Sequence, residues 1–506
     1  MRLDQLALAA SMDAGGHAGA TVTGFAIDHR KVAPGTVFGA FQGAKVNGED
    51  FIPAAIASGA VAVVARPEAT IAGAVHFADP APRRAFAALA AQFFRPVPDH
   101  VVAVTGTNGK TSTVEMVRQI WRICGERAAS IGTLGVTTPE GSVSTGLTTP
   151  DIVTFLANMT GLAREGVTHV AYEASSHGLS QYRNEGLPVM AGAFTNLSRD
   201  HLDYHQDMED YLAAKMRLFS EVVDPDVPRG GTAVIWADDA WSDRAIEVAQ
   251  ARGLKLMTVG EAGETIRLLG RESSQLGQDL LIEYQGGQKR VKLPLIGAYQ
   301  AANALVAAGL AIASGTAPDA VFDALTRLQP VRGRLERAAI TASNAPVYVD
   351  YAHTPDALAA AIAALRPHVA EGGRLITVFG AGGDRDEGKR APMGAAAAAA
   401  SDLVIVTDDN PRGEDPAAIR AAVLAGAPDA TEIGDRRAAI RAGIAGAKGG
   451  DIVLVAGKGH EQGQIVGSGD TMRVLPFDDV SVARECAGEI AGTAPSPMGD
   501  EGAHNP

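Results

Sequence analysis

Val101-Val102-Ala103-Val104-Thr105 runs straight into Gly106-Thr107-Asn108-Gly109-Lys110-Thr111, and a long helical segment follows from Thr111 to about Cys124. A short β-branched apolar run predicts a buried strand, and a glycine turn that opens a helix predicts a loop for phosphates. Backbone N–H groups at such a turn point at an anion, and the helix N-terminus adds positive potential. Lys110 has the reach for β- and γ-phosphate oxygens, and the Thr111 hydroxyl suits Mg²⁺. Val104 occupies the place of the first glycine in the G-x-x-x-x-G-K-[ST] pattern. The bare motif is weakened by that change, and an ordinary glycine turn is the competing reading. Strand before and helix after favour the nucleotide loop, built from Thr105, Gly106, Thr107, Asn108, Gly109, Lys110 and Thr111.

Working outward, residues 20–100 alternate short β-branched runs such as Val61-Ala62-Val63-Val64 with Ala-rich stretches, and end at Arg95-Pro96-Val97-Pro98. This predicts a small α/β domain over 1–98. Alternation of strand and helix over 99–330 predicts a larger α/β domain with a mostly parallel sheet. Over 331–492 one theme repeats three times: an apolar run (375–379, 403–406, 452–455), then a loop of glycine and charge (GAGGDRD, DDNPR, AGKGHE). Ligands in open α/β sheets bind beyond the carboxyl ends of strands, so these loops are expected to meet at one crevice of a Rossmann-like domain. The alanine run 395–400 is strong helix former. The tail 493–506 lacks periodicity and is expected to be disordered.

The 506 residues imply about two to four domains. Apolar residues make up 46% and charged residues 20%, values of a folding chain with large cores. Lys and Arg total 44 against 58 for Asp and Glu, a balance of −14. That disfavours a general nucleic-acid or anionic-membrane binder, so an anionic ligand needs a local site. Cys124 and Cys486 are too few for a disulfide framework and lack paired metal spacing. No apolar run reaches the about 18 residues that span a bilayer, and the N-terminus lacks the layout of a signal peptide. A cytoplasmic protein is expected.

A second strand, 167–172, ends at Glu173, a carboxylate placed to hold a metal beside phosphates or to form a strand-end ion pair. Together with GTNGKT, the stretches Glu173-Ala174-Ser175-Ser176-His177, Thr195-Asn196-Leu197-Ser198-Arg199-Asp200-His201, Asn303, Gly333-Arg334 and Asp350-Tyr351-Ala352-His353-Thr354-Pro355-Asp356 resemble the Mur ligase family over about residues 20–490. These are ATP-dependent amide-forming enzymes of peptidoglycan precursor synthesis. The resemblance implies three α/β domains: an N-terminal uridine-binding domain, a central P-loop ATPase-like domain and a C-terminal Rossmann-like domain. It also implies transfer of the γ-phosphoryl of ATP to a carboxylate, giving an acyl phosphate that an amine attacks. Thr111 is then expected at one magnesium, with Glu173, His201 and Lys215 at a second. Lys215 lies in 207–222 with Tyr211 and Phe219 on one helical face, a pattern that alone fits a lysine with its ammonium in water. The AAK-x-RLF context resembles the family's lysine that carries a CO₂-derived carbamate. His201 and His205 are spaced i, i+4, yet no third ligand of the right kind makes a zinc site.

The resemblance assigns adenosine contacts to Asn303, Arg334 and Asp350, with Gln300 where the family has a first Asn. His353 is open between a phosphate contact and a turn residue. For the uridine diphosphate, Asp28-His29-Arg30, Pro34-Gly35 and Phe38 resemble the family's D-S-R…G…F pattern, with His29 in place of Ser; 43–48 also departs from the common form. Thr148, Thr149, Ser175, Gln181 and Arg183 resemble the grip on the muramoyl-dipeptide, although TTPD alone also reads as a helix N-terminus. DYAHTPDAL, GGDRD, DNPR and GKGHE look most like the branch that adds meso-diaminopimelate to UDP-N-acetylmuramoyl-L-alanyl-D-glutamate. Its distal carboxylate is expected on Arg412 and Asn410 of Asp409-Asn410-Pro411-Arg412 and on Arg385, and its ammonium on Glu461 and the Gly457 carbonyl. Ala381 replaces a common Cys at little expected consequence. A lysine-adding relative, a folylpolyglutamate-type ligase and a silent nucleotide-binding scaffold are the competing readings. Domain closure and a monomer are further expectations from the resemblance.

Overall fold

A computed structural model describes residues 1–492 except 11, 13–18, 44–45, 144–147, 203, 275 and 385–386, and only the backbone of Asp470. Arg385 and the tail 493–506 therefore lie outside the described residues. The chain packs as two compact units. The first holds 1–268, 283–287 and 302–324; the second holds 269–282, 288–301 and the chain from Leu325 onward.

Within the first unit, Gly24–Ala26, Thr36–Gly39, Ala62–Ala65 and Val75–Ala78 form a parallel sheet in that order. A separate sheet runs Lys255–Gly260, Thr232–Trp236, Val189–Phe194, His100–Thr105, His169–Glu173 and Ala128–Gly132, all parallel. Antiparallel Gly135–Thr137 and Ser142–Val143 follow at its edge. His100–Thr105 is buried from Val101 onward, which is why its sequence is apolar without alternation. Both strands beside it come later in the chain, so it marks the switch point where such sheets hold ligands.

One hydrophobic cluster runs from Leu3 and Leu6 through Phe86 and Leu89 to Val101, Phe155, Tyr172, Phe194 and Phe219. Residues expected as the first and central domains thus contribute to one hydrophobic cluster across the Pro-rich stretch near 98. Truncating Phe86, which is fully buried, would cost about 3–5 kcal/mol, felt on both sides of that stretch.

The second unit has strand order Glu336–Ile340, Pro346–Asp350, Ile452–Ala456, Leu375–Phe379, Leu403–Val406 and Thr431–Glu432. All pairings are parallel except that of the first edge strand. Strand alternation divides its core. Leu375 and Phe379 face Leu358, Met393 and Ile419 on one side, while Ile376 and Val378 face Ile440, Ile444 and Ala483 on the other. The alanine run is helical, within Arg390–Ala400. The loops after residues 350, 379, 406 and 456 all leave the same end of the sheet, as the repeated theme predicts.

Candidate active site: a phosphate cradle and a charged pocket

The helix Lys110–Ile123 begins directly after Gly109, whose φ of 86° suits glycine. A Cβ at Gly109 would lie 2.3 Å from Asn303 Oδ1, and one at Gly106 would lie 2.0 Å from Thr195 Oγ1. Glycine is therefore required at both positions by close approach as well as by conformation. The stretch 195–198 braces the loop. Thr107 N donates to the Asn196 carbonyl at 2.9 Å, Asn108 N to Asn196 Oδ1 at 2.9 Å, and Thr195 Oγ1 to the Asn108 carbonyl at 2.6 Å. Thr105 is fully buried and Thr111 nearly so.

Lys110 Nζ donates to the carbonyls of Gly106 and Thr107, both at 2.9 Å. Lys215 Nζ donates to the same Gly106 carbonyl at 2.7 Å. Lys215 is only 1% exposed, which removes the reading of a solvated ammonium. Burial, and after it the neighbouring Lys110 charge, hold its amine well below the ordinary lysine range. Its Nζ lies 4.2 Å from the Tyr211 ring centroid, and the Tyr211 hydroxyl is 3.3 Å from Thr107 Oγ1. Asp207 caps the helix Met208–Arg217 by accepting from Asp210 N at 2.8 Å. The helix expected to run to 222 widens after Arg217 into a π-helical turn, Leu218–Val222, closed by Val223 N on the Leu218 carbonyl, and Phe219 stays buried.

Glu173, the last residue of its strand, is 2% exposed and accepts from Thr133 N at 2.7 Å and Thr133 Oγ1 at 3.3 Å. Thr148 Oγ1 lies 3.1 Å from Thr133 Oγ1. Thr149 Oγ1 donates to the Glu173 carbonyl at 2.9 Å and lies 2.9 Å from Ser175 Oγ. Arg183 donates to the Thr149 carbonyl at 3.0 Å and to Gln181 Oε1 at 2.7 Å; Gln181 Nε2 donates to the Tyr204 hydroxyl at 3.0 Å. Tyr204 stacks against His177, and His177 meets His201 edge-on at 5.1 Å. Asp151 accepts from Val153 N and Thr154 N, so TTPD is a helix start as well as part of this network. His201, with φ 53°, lies 3.5 Å from Asp200 Oδ2, while buried His205 pairs with Asp210 at 3.1 Å. Among the described residues no three His, Cys, Asp or Glu side chains form a metal-holding group. His29 stands on the small sheet's side of the unit, stacked on Phe51 at 4.3 Å.

In the second unit Asp350 is buried and accepts from Leu335 N at 2.7 Å and Ala352 N at 2.9 Å. Burial raises its carboxyl above the usual range, and Arg334 and those two donors work against the rise. Arg334 lies 5.2 Å from the Tyr351 ring, and Gln300 Nε2 donates to the Arg334 carbonyl at 3.2 Å, which gives Gln300 a bracing role. His353 Nδ1 is 2.8 Å from the Tyr351 carbonyl, as a turn residue would be.

The three repeated loops interlock. Arg412, half-buried with φ 51°, donates through Nη1 to the Gly383 carbonyl at 2.8 Å. Asn410 Nδ2 donates to Glu461 Oε2 at 2.9 Å, while Asn410 Oδ1 accepts from Lys458 Nζ at 2.8 Å and Ile465 N at 2.9 Å. Gly457 has φ 119°, and a Cβ there would lie 2.4 Å from Asp409 Oδ2. Pro411 and Ala381 are buried in the same cluster of loops.

Family comparison accounts for this arrangement. The Mur ligase family catalytic domain matches residues 21–94, the Mur ligase middle domain 104–311, and the Mur ligase glutamate ligase domain 333–459. The chain is 62% identical over 464 residues to the UDP-N-acetylmuramoyl-L-alanyl-D-glutamate--2,6-diaminopimelate ligase of Zymomonas mobilis subsp. mobilis, covering 92% of this chain and 94% of that one. The protein of the same name from Bradyrhizobium diazoefficiens is 53% identical, with 93% and 96% covered. The chain belongs to the Mur ligase family.

A solved structure of a UDP-N-acetylmuramoyl-L-alanyl-D-glutamate--2,6-diaminopimelate ligase superposes with a TM-score of 0.75 at 33% identity, covering 97% of this chain and 99% of that one. A folylpolyglutamate synthase from Mycobacterium tuberculosis, complexed with ADP, shares the fold at a TM-score of 0.58 and 21% identity, with 74% and 91% covered. The chain thus has the three-domain α/β fold of Mur ligases, with mostly parallel sheets, and it is an ATP-dependent ligase. Lys458, at 0% exposure, is a buried charge in the AGKGHE loop that the sequence alone does not single out. Glu461 lies three residues on, while Asp409 and Asn410 reach the same side chain only through the order of strands.

Proposed function

We infer that this chain joins meso-2,6-diaminopimelate to the D-glutamate γ-carboxylate of UDP-N-acetylmuramoyl-L-alanyl-D-glutamate, using ATP, in peptidoglycan precursor synthesis. The observation that carries this is 62% identity across nearly the whole chain to a ligase named for those substrates. The first step moves the γ-phosphoryl of ATP onto a carboxylate oxygen, releasing ADP. The amine then attacks the acyl carbon, phosphate departs, and the nitrogen loses a proton. Two anions meet in the first step, so fixed positive charge and alignment carry most of the catalysis. Lys110 and the amides of 106–111 supply that charge, while Asn303, Arg334 and Asp350 take the adenosine.

Lys215 has the chemistry for a carbamate. A buried amine whose proton is held loosely adds CO₂ and loses that proton, and the product anion offsets the neighbouring Lys110 charge. Thr111 would then hold one magnesium, and Glu173, His201 and the Lys215 carbamate a second; magnesium when bound offsets phosphate charge. ¹³C-labelled CO₂ giving a carbamate resonance lost in Lys215→Arg tests this; an unchanged spectrum removes it.

His29 is assigned to the uridine diphosphate, and Thr148, Thr149, Ser175, Gln181 and Arg183 to the dipeptide. Arg385, Asn410 and Arg412 take the distal carboxylate of diaminopimelate; Glu461 and the Gly457 carbonyl take its ammonium, with Asp409 and Pro411 shaping the loop. A planar guanidinium pairs directionally with a carboxylate, and lysine has none to offer there. We read domains over 1–98, 99–330 and 331–492, a monomer, and a cytoplasmic place set by ATP and a nucleotide-activated acceptor. Among the described residues no helix is long and apolar enough to cross a membrane. Purified protein given ATP, the UDP-dipeptide and diaminopimelate should release ADP, and the UDP-dipeptide should gain the mass of one diaminopimelate residue. ADP release independent of diaminopimelate would overturn the assignment.

A further inference from the structure

Lys458 lies in the loop after Ile452–Ala456 and is buried completely. Its Nζ donates to Asn410 Oδ1 at 2.8 Å and to Glu461 Oε2 at 3.4 Å, and stands 3.8 Å from Asp409 Oδ1. A buried charge persists only when paired and hydrogen-bonded, and this one has three such partners. Because Asn410 Oδ1 accepts from both Lys458 and Ile465 N, the amide has one orientation that satisfies every group. Its Nδ2 must face Glu461, which it does at 2.9 Å.

Charge is the second consequence. Beneath the cluster Arg436 and Asp479, both at 0% exposure, form a closed pair at 2.6 Å and cancel. Lys458 against Asp409 and Glu461 leaves one net negative charge, enough for one ammonium. Both bonds from Asn410 and Lys458 fall on Glu461 Oε2, so neither of them engages Oε1.

We propose that Lys458 is a positioning residue for amine recognition: it sets the charge of the Asp409–Lys458–Glu461 trio at one net negative and fixes the Asn410 amide, so that Glu461 presents a single oxygen to the distal ammonium of diaminopimelate. Without that lysine two carboxylates share the pocket, one of them attracts solvent cations or a proton, and Asn410 loses its orientation. This inference rests on the proposed function, and extends it to a residue that need not touch the ligand.

The test compares wild type, Lys458→Met, Lys458→Gln and the double variant Lys458→Met with Asp409→Asn, which restores the net charge. Thermal midpoints are recorded beside KM for diaminopimelate and KM for ATP. In the single variants KM for diaminopimelate should rise by about tenfold or more, the loss expected for a charge-assisted contact, with KM for ATP within about twofold. The double variant should recover at least about threefold of that loss, because charge rather than volume is restored. Single variants that fail to fold beside a double variant that folds also support the proposal. Folded single variants with unchanged KM for diaminopimelate, a double variant no better than the singles, or failure of all three to fold would overturn it. Wild-type protein without diaminopimelate-dependent ADP release would overturn the proposed function and this inference together, whereas an active wild type with indifferent variants sinks this inference alone.

Discussion

Around the Gly106 carbonyl the chain gathers two lysine amines, those of Lys110 and Lys215. Around Lys458 it gathers two carboxylates, Asp409 and Glu461, and the Asn410 amide. Both clusters sit beyond the carboxyl ends of parallel strands, so topology does not separate them. The difference lies in what each is missing. The first carries excess positive charge and suits phosphate or a lysine turned anion. The second is nearly balanced, with its hydrogen bonds assigned, and suits a small ligand of mixed charge. A site that must stabilise a developing charge is left electrostatically incomplete, and a site that must discriminate is filled almost to completion.

The sharpest way to break this contrast is to remove charge from the first cluster. Lys110→Ala should lower ADP release by about 10³-fold or more with every amine tested, because both substrates of the phosphoryl step are anions. A loss confined to diaminopimelate would erase the distinction between the clusters. Arg412→Ala should lower kcat/KM for diaminopimelate by about 10²-fold while ATP binding stays within about twofold, since a bidentate carboxylate contact is lost and the ligand's acid is left unpaired. Isothermal titration with ATP and steady-state kinetics with the amine read the two halves separately. The smallest expected effect concerns support rather than chemistry. Asp207→Ala removes the cap of the helix that carries Lys215 and should cost about 1 kcal/mol in denaturant unfolding. No change in stability would show that packing of Tyr211 and Phe219 alone fixes the helix start.

Much of this was legible in residues. The strands before each loop are continuous apolar runs because parallel sheets are buried on both faces, and the glycine loop declares itself between strand and helix. The motifs GTNGKT, DNPR and GKGHE fall in loops beyond the carboxyl ends of strands, where close approach dictates several of their glycines. Burial was less legible. Lys215 carries the pattern of a solvated lysine, and its 1% exposure follows from packing of 208–217 against the glycine loop, over a hundred residues earlier. Lys458 was hidden in part for the same reason, since Asp409 and Asn410 are brought to it by the order of strands. The hydrophobic contacts that join residues on either side of 98 were likewise invisible, because Pro-rich punctuation says nothing of what packs across it.

Diaminopimelate against lysine, offered singly at equal concentration to the purified protein with ATP and UDP-N-acetylmuramoyl-L-alanyl-D-glutamate, is the most direct measurement of the central claim. Product mass and ADP should show turnover with diaminopimelate exceeding that with lysine by about 10³-fold, the penalty for leaving a recognition guanidinium without its carboxylate. Equal turnover with both amines would contradict the account.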